Sequence, residues 1–404
     1  MKNLSKTLVF YYKNIIHNLI YLISRFLYLF IKPSKKIWVF GSWFGQKYSD
    51  NSRYLFEYVN KFHPEIKSIW LCKNNEIVNL IRSKGYKAYY AFSFLGYFYS
   101  FKAHVAIICT SFEDLNEYMP QKFIVNLWHG CPLKKIGYDD KINLKTRDLI
   151  DKIIWRYKRE LKDIDMAIAS SKIEAKNLAT AFGIKPEKVK ITGLPRNDSF
   201  FVKLKKFPTY NIIYMPTHRN EGEIDIECLF MEYLDLINSS LIKIDSQLFI
   251  KLHFYHRNNS LIDKIKLYSN VHLIEEDDVD QDIYHIIPQF DLLITDYSSI
   301  LFDYLICEKP IIFAAFDYNN YIINDREFYY EYKSFVPGPV CDNWHNVILW
   351  IEKFKNNPNL FYRERVGIKK MFHAHIYGKY SENVFNCILS ELKISDKNLL
   401  RNKI

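Results

Sequence analysis

Two histidines of this 404-residue chain stand where short apolar segments end. His129 follows the run from Phe123 to Trp128, and His253 follows the run from Leu248 to Leu252. Such runs are typical of buried strands, and a histidine at the carboxyl end of a strand can take a proton from an attacking hydroxyl group. The glycine after His129 lets a ligand approach the backbone closely. We interpret His129 as a candidate general base, with a satisfied structural histidine as the alternative.

Cationic and hydroxyl side chains occupy the same kind of position elsewhere in the chain. Arg196 follows the run from Val189 to Gly193, and its planar guanidinium suits a phosphate group, with Asp198 placed to hold it. A structural Arg–Asp pair in a turn is the alternative. Lys134 and Lys135 lie shortly after His129. Further candidate residues follow later runs: Pro216, Thr217, His218 and Arg219, then Lys251 and Leu252, and finally Ser298, Ser299 and Asp303. Converging cations, histidines and hydroxyls without paired carboxylates indicate binding and stabilisation of a phosphoryl group.

The stretch from Leu292 to Asp317 joins two buried-strand patterns through a segment with helical spacing. Ser298 and Ser299 stand at the expected start of that helix, where their hydroxyls and the free backbone N–H groups of the first turn can receive a phosphate. An ordinary serine cap explains the same pattern.

Alternation of strands and helices predicts the architecture that positions these groups. The first set of strands is Ile37 to Gly41, Ser68 to Lys73, Lys87 to Phe92, Val105 to Thr110, Phe123 to Trp128, Met166 to Ser170 and Val189 to Gly193. The second set is Asn211 to Met215, Leu248 to Leu252, Val271 to Ile274, Leu292 to Thr295 and Pro310 to Phe316. We therefore expect an α/β protein with two Rossmann-like domains, 36–207 and 208–360, whose parallel sheets face a cleft. We expect the helical tail 361–404 to cross back to the first domain.

Composition narrows the class of partner. Lysine and arginine number 56 against 45 acidic residues, and the formal charge of +11 favours partners that carry phosphate. We predict no nucleic-acid partner, because no zinc-finger spacing, RNP-like motif or bZIP-type basic block is present. Seven scattered cysteines without a CxxC pair indicate a reducing compartment and no structural zinc.

Metal and dinucleotide signatures are also missing. The sequence has no GxGxxG, Walker loop or HExxH motif, and no DxD-type pair follows a strand. We interpret the acidic run from Glu275 to Asp282 as an exposed loop. The prediction is therefore no bound cofactor and no protein-ligated metal, while assistance by Mg²⁺ from solution stays open.

The N-terminal segment 1–35 contains an apolar stretch from Leu8 to Ile31. Lys13, His17, Tyr21 and Arg25 recur within it every four residues and form one polar stripe. A stripe favours an amphipathic helix lying on a membrane over one that spans it. Flanking lysines suit an anionic cytoplasmic leaflet: Lys2, Lys6, Lys32, Lys35 and Lys36. A helix packed on the protein's own core and a transmembrane span are the alternatives.

Taken together and in order, the motifs at the predicted strand ends form a recognisable set. They are GSWFGQKYSDN, LWHGCPLKK, GLPRND, YMPTHR, the KLH at Lys251, TDYSSILFDY, KPIIFAAFD and the PGPV at Pro337. From about Lys36 to Glu382 the chain resembles the CDP-glycerol:poly(glycerophosphate) glycerophosphotransferase family of teichoic acid and capsule synthesis.

The resemblance implies a GT-B-like fold and a peripheral enzyme at the cytoplasmic face of the cell membrane. Such an enzyme moves glycerol phosphate from CDP-glycerol to a hydroxyl of a lipid-linked glycan or polyol-phosphate acceptor and releases CMP. The family's catalytic histidine falls on His129 and its second important histidine on His253. Its substrate-contacting positions fall on Gly130, Cys131, Pro132, Leu133, Arg196, Pro216, Thr217, Lys251, Leu252, Ser298, Ser299 and Asp303.

The chain departs from the family pattern at three places. Cys131 replaces a usual threonine, His218 replaces a common tryptophan, and Tyr377 opens a Tyr-Gly-Lys that replaces Asp-Gly-Lys. These departures put the identity of the donor or acceptor in doubt. Transfer of ribitol phosphate from CDP-ribitol, glycosyl transfer from a nucleotide sugar on the same fold, and an inactive membrane-bound scaffold are the alternatives.

Overall fold

Apolar runs such as IWVF and LLIT become interior strands of two parallel sheets in the structure, a computed structural model. The side chains of Trp38, Val39 and Phe40 are fully buried, because helices cover both faces of the sheet. The structure describes residues 16, 18–116, 123–141, 160–203, 207–217, 219, 226–252, 259–274, 282–324 and 327–392.

The first sheet has seven parallel strands in the order β3-β2-β1-β4-β5-β6-β7. They are β1 (Ser34–Phe40), β2 (Lys67–Cys72), β3 (Ala88–Tyr90), β4 (Ala103–Ile108), β5 (Phe123–Asn126), β6 (Met166–Ala169) and β7 (Val189–Ile191). The chain adds strands on one side of β1 and then returns to build the other side from β4. The switch in direction therefore lies between β1 and β4.

The second sheet repeats this plan with six parallel strands in the order β10-β9-β8-β11-β12-β13. They are β8 (Tyr210–Met215), β9 (Ser246–Ile250), β10 (Val271–Leu273), β11 (Leu292–Thr295), β12 (Ile311–Ala314) and β13 (Val340–Cys341). Its switch in direction lies between β8 and β11.

Helices connect most successive strands and cover the sheets. In the described part of the chain they are Asp50–Phe62, Asn75–Ser83, Phe94–Lys102, Lys172–Phe182, Ile226–Glu232, Leu234–Lys243, Asn259–Ile265, Ile300–Tyr304, Tyr318–Asn324, Tyr332–Phe335, Trp344–Asn356, Tyr362–Phe372 and Tyr380–Glu391. Short 3₁₀ turns lie in several of the connections, among them Trp43–Gly45, Pro195–Phe201 and Ile283–His285.

The last of these helices returns to the first sheet. Val384, Phe385 and Ile388 join the apolar cluster that contains Trp38 and Phe40. The ring of Phe385 lies 5.5 Å from the ring of Trp38. The C-terminal helix is therefore part of the core around β1, although it follows the second sheet in the chain.

An N-terminal helix covers residues 18–28 and has one buried side. Tyr21 and Ser24 are each 4% exposed, whereas Leu22 is 45% and Phe26 61% exposed. Arg25 donates to the Tyr21 hydroxyl at 3.1 Å. The side of this helix that carries Tyr21 thus faces the protein, and its apolar side faces outward; Lys13 and His17 lie outside the described residues. Within the described ranges, no helix has the length and apolar character needed to cross a bilayer.

Every strand expected from the sequence is present, with ends that shift by a few residues, and the parallel arrangement is confirmed. β13 was not expected, because Val340–Cys341 is too short to show a pattern. The expected strand, helix, strand unit around Ser298 is also confirmed, although its helix is α-helical only over Ile300–Tyr304 and ends in the 3₁₀ turn Leu305–Cys307.

Candidate active site between the two sheets

β5 delivers His129 to the carboxyl edge of the first sheet. Its Nδ1 lies 3.1 Å from the carbonyl oxygen of Cys109, the residue that follows β4. Because a carbonyl oxygen only accepts, Nδ1 carries the proton and the lone pair of Nε2 is left for an incoming proton. Burial lowers the pKa of His129 from its usual 6.5, so the ring is neutral at neutral pH. His129 therefore has the tautomer and the charge that a general base needs.

Aromatic rings and an unusual backbone fix this histidine. The ring centroids of Trp128 and Trp43 lie 4.1 and 5.4 Å from that of His129. Trp128 has a φ of 50° and Gly130 a φ of 129°. A Cβ on Gly130 would lie 2.6 Å from Nη2 of Arg196 and 3.2 Å from Oγ of Ser299. The glycine thus permits close contact between the His129 loop and residues of two other elements.

The rest of this loop joins the second sheet. Cys131 and Leu133 are buried in the apolar cluster that contains Tyr297, Ile300 and Phe372, and Pro132 is buried with them. Tyr329 N donates to the carbonyl of Leu133 at 3.0 Å. The loop therefore begins on one sheet and ends on the other.

The two lysines of this loop have protein partners. Lys134 donates to the hydroxyl of Tyr321 at 2.8 Å. Lys135 forms an ion pair with Glu327 at 2.7 Å, and its backbone N donates to the carbonyl of the same residue at 2.7 Å. Both contacts reach residues that belong to the second half of the chain.

Arg196 forms a buried ionic bridge at the same place. The side chain is fully buried, and its Nε and Nη2 donate to the two carboxylate oxygens of Asp303 at 3.1 and 2.7 Å. Its Nη1 donates to Asp50 at 2.9 Å and to the carbonyl of His129 at 2.8 Å. The guanidinium also lies 4.2 Å from the centroid of the Tyr284 ring. Two carboxylates and a carbonyl thus occupy the fork that the sequence suggested for a phosphate.

The expected partner of Arg196 was wrong. Asp198 accepts hydrogen bonds from the backbone N of Tyr380 and Ser381 at 2.7 and 2.9 Å, at the start of the C-terminal helix. Its role is to hold that helix, because a carboxylate stabilises the free N–H groups of a first turn. Asp303 and Asp50 take the place expected for it.

A second buried cluster lies at the carboxyl edge of the second sheet. Arg219 donates to both oxygens of Asp317 at 2.7 and 3.0 Å and to Asp296 at 2.8 Å. Asp296 in turn accepts from the backbone N of Thr217 at 2.8 Å. Nη1 of Arg219 donates to the Thr217 carbonyl at 2.8 Å. These bonds fix the loop of Pro216 and Thr217 beside β11, at the switch in strand order where such sheets bind ligands.

The serines after β11 lie at the start of the helix as expected, and Ser298 rather than Ser299 bonds to its first turn. Ser299 is at the N-cap position, but its side chain accepts no capping bond, whereas Oγ of Ser298 lies 3.4 Å from the backbone N of Ile300. Lys251 and Leu252 follow β9, the neighbour of β8, and are half-buried. His253 and His218 lie outside the described residues, as do 275–281 of the acidic run. The expectation of an exposed loop is wrong for its last member, since Asp282 is buried and accepts from the backbone N of Asp50 at 2.9 Å.

Glu174 adds an ionisable group close to these elements. It is fully buried at the start of the Lys172–Phe182 helix, where its Oε2 accepts from the backbone N and the hydroxyl of Ser170 at 2.6 and 2.5 Å. Its Oε1 makes no hydrogen bond with a described residue. Burial raises the pKa of Glu174 to about 7.

The sequence did not single out several residues that shape this site. Trp43, Asp50, Asp296 and Asp317 all lie inside the quoted motifs, but nothing in their spacing says which acid pairs with which arginine. Within the described ranges, no group of three or more histidine, cysteine or acidic side chains is arranged to hold a metal ion.

Two parallel sheets of matching strand order, with His129 at the carboxyl edge of one and the buried Arg219 cluster at that of the other, have the architecture of the two-Rossmann-domain class. The sequence pattern of the CDP-Glycerol:Poly(glycerophosphate) glycerophosphotransferase family matches residues 23–390. The chain belongs to this family.

Individual relatives agree with this assignment. The chain is 25% identical to a teichoic acid glycerol-phosphate transferase of Staphylococcus aureus over 93% of its own length and 98% of that protein. It is 30% identical over 69% of its length to a teichoic acid poly(ribitol-phosphate) polymerase of Bacillus spizizenii, of which it spans 45%. The solved structure of the wall teichoic acid polymerase TagF superposes with a TM-score of 0.74, at 23% identity, over 97% of this chain and 98% of that one. The fold is accordingly GT-B-like.

Proposed function

We propose that this protein transfers glycerol phosphate from CDP-glycerol to a hydroxyl group of a teichoic-acid-type acceptor. The acceptor oxygen attacks the phosphorus that carries glycerol, forming a new phosphodiester bond. The bond from that phosphorus to the bridging oxygen breaks, and CMP leaves with the oxygen. His129 Nε2 accepts the hydroxyl proton. Family membership and the matching relatives support this reaction and this donor.

The observation that carries the proposal is the hydrogen bond between His129 Nδ1 and the carbonyl of Cys109. It fixes the tautomer whose free Nε2 can act as a base, and burial keeps that nitrogen unprotonated. General-base help of this kind contributes on the order of a hundred- to ten-thousandfold in rate.

For the donor we propose the crevice of the second sheet. Pro216, Thr217, Lys251 and Leu252 border it on one side and Ser298 and Ser299 on the other, with His253 as an additional group. Gly130 to Leu133 close it from the first sheet. We propose that Arg196 holds the His129 carbonyl and that Asp303 holds Arg196, so that neither residue contacts the phosphate of the donor. We also propose that residues 36–207 and 208–360 form two domains, with the base on the first and the donor on the second.

The test is acceptor-dependent release of CMP by the purified protein and by His129→Gln. The wild-type kcat/KM should rise with pH, because protonation removes the base. The midpoint of this rise should lie below pH 6.5, the ordinary pKa of histidine. The variant should lose at least about a hundredfold in kcat and lose that pH dependence. Near-normal turnover by His129→Gln would refute the assignment. Parallel reactions with EDTA and with added Mg²⁺ show whether the ion assists.

CDP-ribitol is the second candidate donor. The 30% identity to a poly(ribitol-phosphate) polymerase supports CDP-ribitol as an alternative donor. A comparison of kcat/KM for CDP-glycerol and CDP-ribitol decides between the two. Release of a nucleoside diphosphate from a nucleotide sugar would point to glycosyl transfer instead.

We further propose peripheral attachment to the cytoplasmic face of the membrane, where a lipid-linked acceptor would be found. The apolar side of the helix over residues 18–28 is exposed, and Lys32 and Lys36 follow it. None of the seven cysteines forms a disulfide bond within the described part of the chain, as suits a reducing compartment.

Sedimentation with phosphatidylglycerol vesicles tests the attachment. Phe26→Glu should reduce binding, because Phe26 is 61% exposed on this helix. Phe62→Glu is the matched control, since Phe62 is 54% exposed on a different helix. Equal binding by both variants and the wild type would refute the proposal.

A further inference from the structure

The switch in strand order of the first sheet is bordered by a loop, residues 41–49, that contains none of the site residues predicted from the sequence. Ligands of open parallel sheets bind at such switches. Residues 41–49 follow β1 on one side, and Cys109 follows β4 on the other. His129 bonds to the Cys109 carbonyl and therefore stands at the border of the same crevice.

The 41–49 loop places an aromatic ring on the candidate base. The ring centroid of Trp43 lies 5.4 Å from that of His129. Its indole Nε1 donates to Asp50 at 3.3 Å, and Asp50 also accepts from Arg196. The ring is thus held by the same carboxylate that supports the His129 loop.

The backbone of the loop is strained. Trp43 and Phe44 have φ angles of 47° and 57°, which cost a non-glycine residue about 1 kcal/mol or more each. Asp114 holds them there, because it accepts from the backbone N of Phe44 at 2.7 Å and from that of Cys109 at 2.8 Å. The loop is therefore locked to the neighbouring strand end.

Folding alone gives no reason for a phenylalanine at this position. The side chain of Phe44 is 50% exposed, so its burial does not offset the strain. Glycine would adopt the same φ without cost. A strained, exposed aromatic residue next to Trp43, whose ring lies on the candidate base, is the pattern of a residue kept for contact with a ligand.

One lysine lies on this loop, and a second, which follows β2, packs against it. Lys47 Nζ is 5.8 Å from the Trp43 ring centroid. The Cγ of Lys73 lies 2.9 Å from the point that a Cβ on Gly45 would occupy, so the Lys73 side chain covers that glycine. Aromatic rings with adjacent ammonium groups suit a ligand that combines carbon-rich units with phosphate.

We propose that Trp43, Phe44 and Lys47 form the subsite for the acceptor. The occupant is an anionic chain of polyol phosphate units that ends in a free hydroxyl. The rings contact the carbon chain of its terminal units, and Lys47 binds the phosphate that joins them. This assignment rests on the proposed function, in which the donor occupies the second sheet and the acceptor must reach His129 from the first.

The decisive variant is Phe44→Gly, because it removes the ring and relieves the backbone together. The probe is a short glycerol phosphate oligomer on an alkyl chain. We expect the KM for this probe to rise about tenfold, as for one lost aromatic contact, with a much smaller change in the KM for CDP-glycerol. Lys47→Ala should raise the KM for the probe about threefold or more and weaken its dependence on salt.

Asp245→Gly is the matched control. Asp245 has a φ of 43° and precedes β9 on the other sheet, so its replacement relieves strain away from the subsite. Both glycine variants should be at least as stable as the wild type, and the control should leave both KM values unchanged. Unchanged KM for the probe in Phe44→Gly and Lys47→Ala would overturn the subsite, as would an equal rise in both KM values.

Failure of the underlying reaction gives a different result. If the wild type releases no CMP from CDP-glycerol, the proposed function falls, and calorimetric binding of the same probe decides about the subsite. Weaker binding by Phe44→Gly than by Asp245→Gly then supports it, and equal binding overturns it.

Discussion

Removing Arg196 and Asp303 one at a time measures how strongly the two sheets are held together at the candidate base. Arg196→Met leaves the buried carboxylates of Asp303 and Asp50 without their cation, which costs about 3 to 5 kcal/mol. Asp303→Asn leaves Arg196 with Asp50 and the His129 carbonyl as acceptors, so we expect a smaller loss of about 2 to 3 kcal/mol. The bonds at stake are the two that join Arg196 to Asp303, 3.1 and 2.7 Å long.

The double variant separates the pair from its surroundings. Once Arg196 is gone, replacing Asp303 removes an unpaired buried charge, so the double variant should be more stable than the sum of the single losses by about 2 kcal/mol. Urea unfolding followed by circular dichroism and fluorescence measures these free energies. Lys266 and Asp263 provide the control pair, since they are 3.7 Å apart and 65% and 78% exposed. Their coupling should stay below about 0.5 kcal/mol.

Turnover distinguishes a positioning role from a merely structural one. In the double variant the His129 carbonyl still lacks the donor that Arg196 Nη1 provides at 2.8 Å. We therefore expect stability to recover in part while kcat stays low. Additive losses of stability, with a coupling as small as that of the control pair, would refute the description of Arg196 and Asp303 as one buried unit. Full recovery of kcat would refute the positioning role.

Three further changes test other parts of the structure. The pKa of Glu174 is raised from 4.5 to about 7, so its contribution to the free energy of unfolding is fully present below pH 4.5 and is lost as pH rises through 7. Glu174→Gln should therefore stabilise the protein above pH 7 by up to about 3 kcal/mol. Unfolding measured as a function of pH tests this, and an unchanged profile contradicts it. Burial lowers the pKa of His373 from 6.5 to about 4, so its contribution to stability is present above pH 6.5 and is lost as pH falls through 4. The wild type should therefore lose about 3 kcal/mol more stability in acid than His373→Gln. Equal acid sensitivity of the two proteins contradicts this. Gly130→Ala should lower kcat at least about tenfold, because its Cβ would lie 2.6 Å from Nη2 of Arg196; unchanged kcat contradicts this.

Buried parallel strands are the part of the fold that the sequence reveals best. Leu292 to Ile294 are apolar on both faces of the strand. A short apolar run of this kind, bounded by polar residues, is typical of a strand buried in a parallel sheet. Since parallel strands end at one edge, the placement of His129, Thr217 and Ser298 at strand ends also followed. The two-residue β13 had no pattern to detect.

The sequence did not reveal which side chains pair with each other when they are distant along the chain. Asp198 is two residues from Arg196 and was the natural choice, yet Asp303 lies 107 residues away along the chain and takes the bond. The positive φ angles of Trp43 and Phe44 were equally hidden, because local preference would place glycine or asparagine there. Such choices depend on what the folded molecule brings together, and they concentrate at sites where function overrides local preference.

The attachment of the His129 loop to both sheets bears on how the reaction is controlled. At its start the loop is fixed to the first sheet by the bond from His129 to Cys109, and at its end to the second sheet through Leu133 and Tyr329. Arg196 joins the two attachments, since it bonds to the His129 carbonyl and to Asp303. Any rotation of one sheet against the other would therefore move the base relative to the donor crevice. The position of His129 therefore depends on bonds to both sheets.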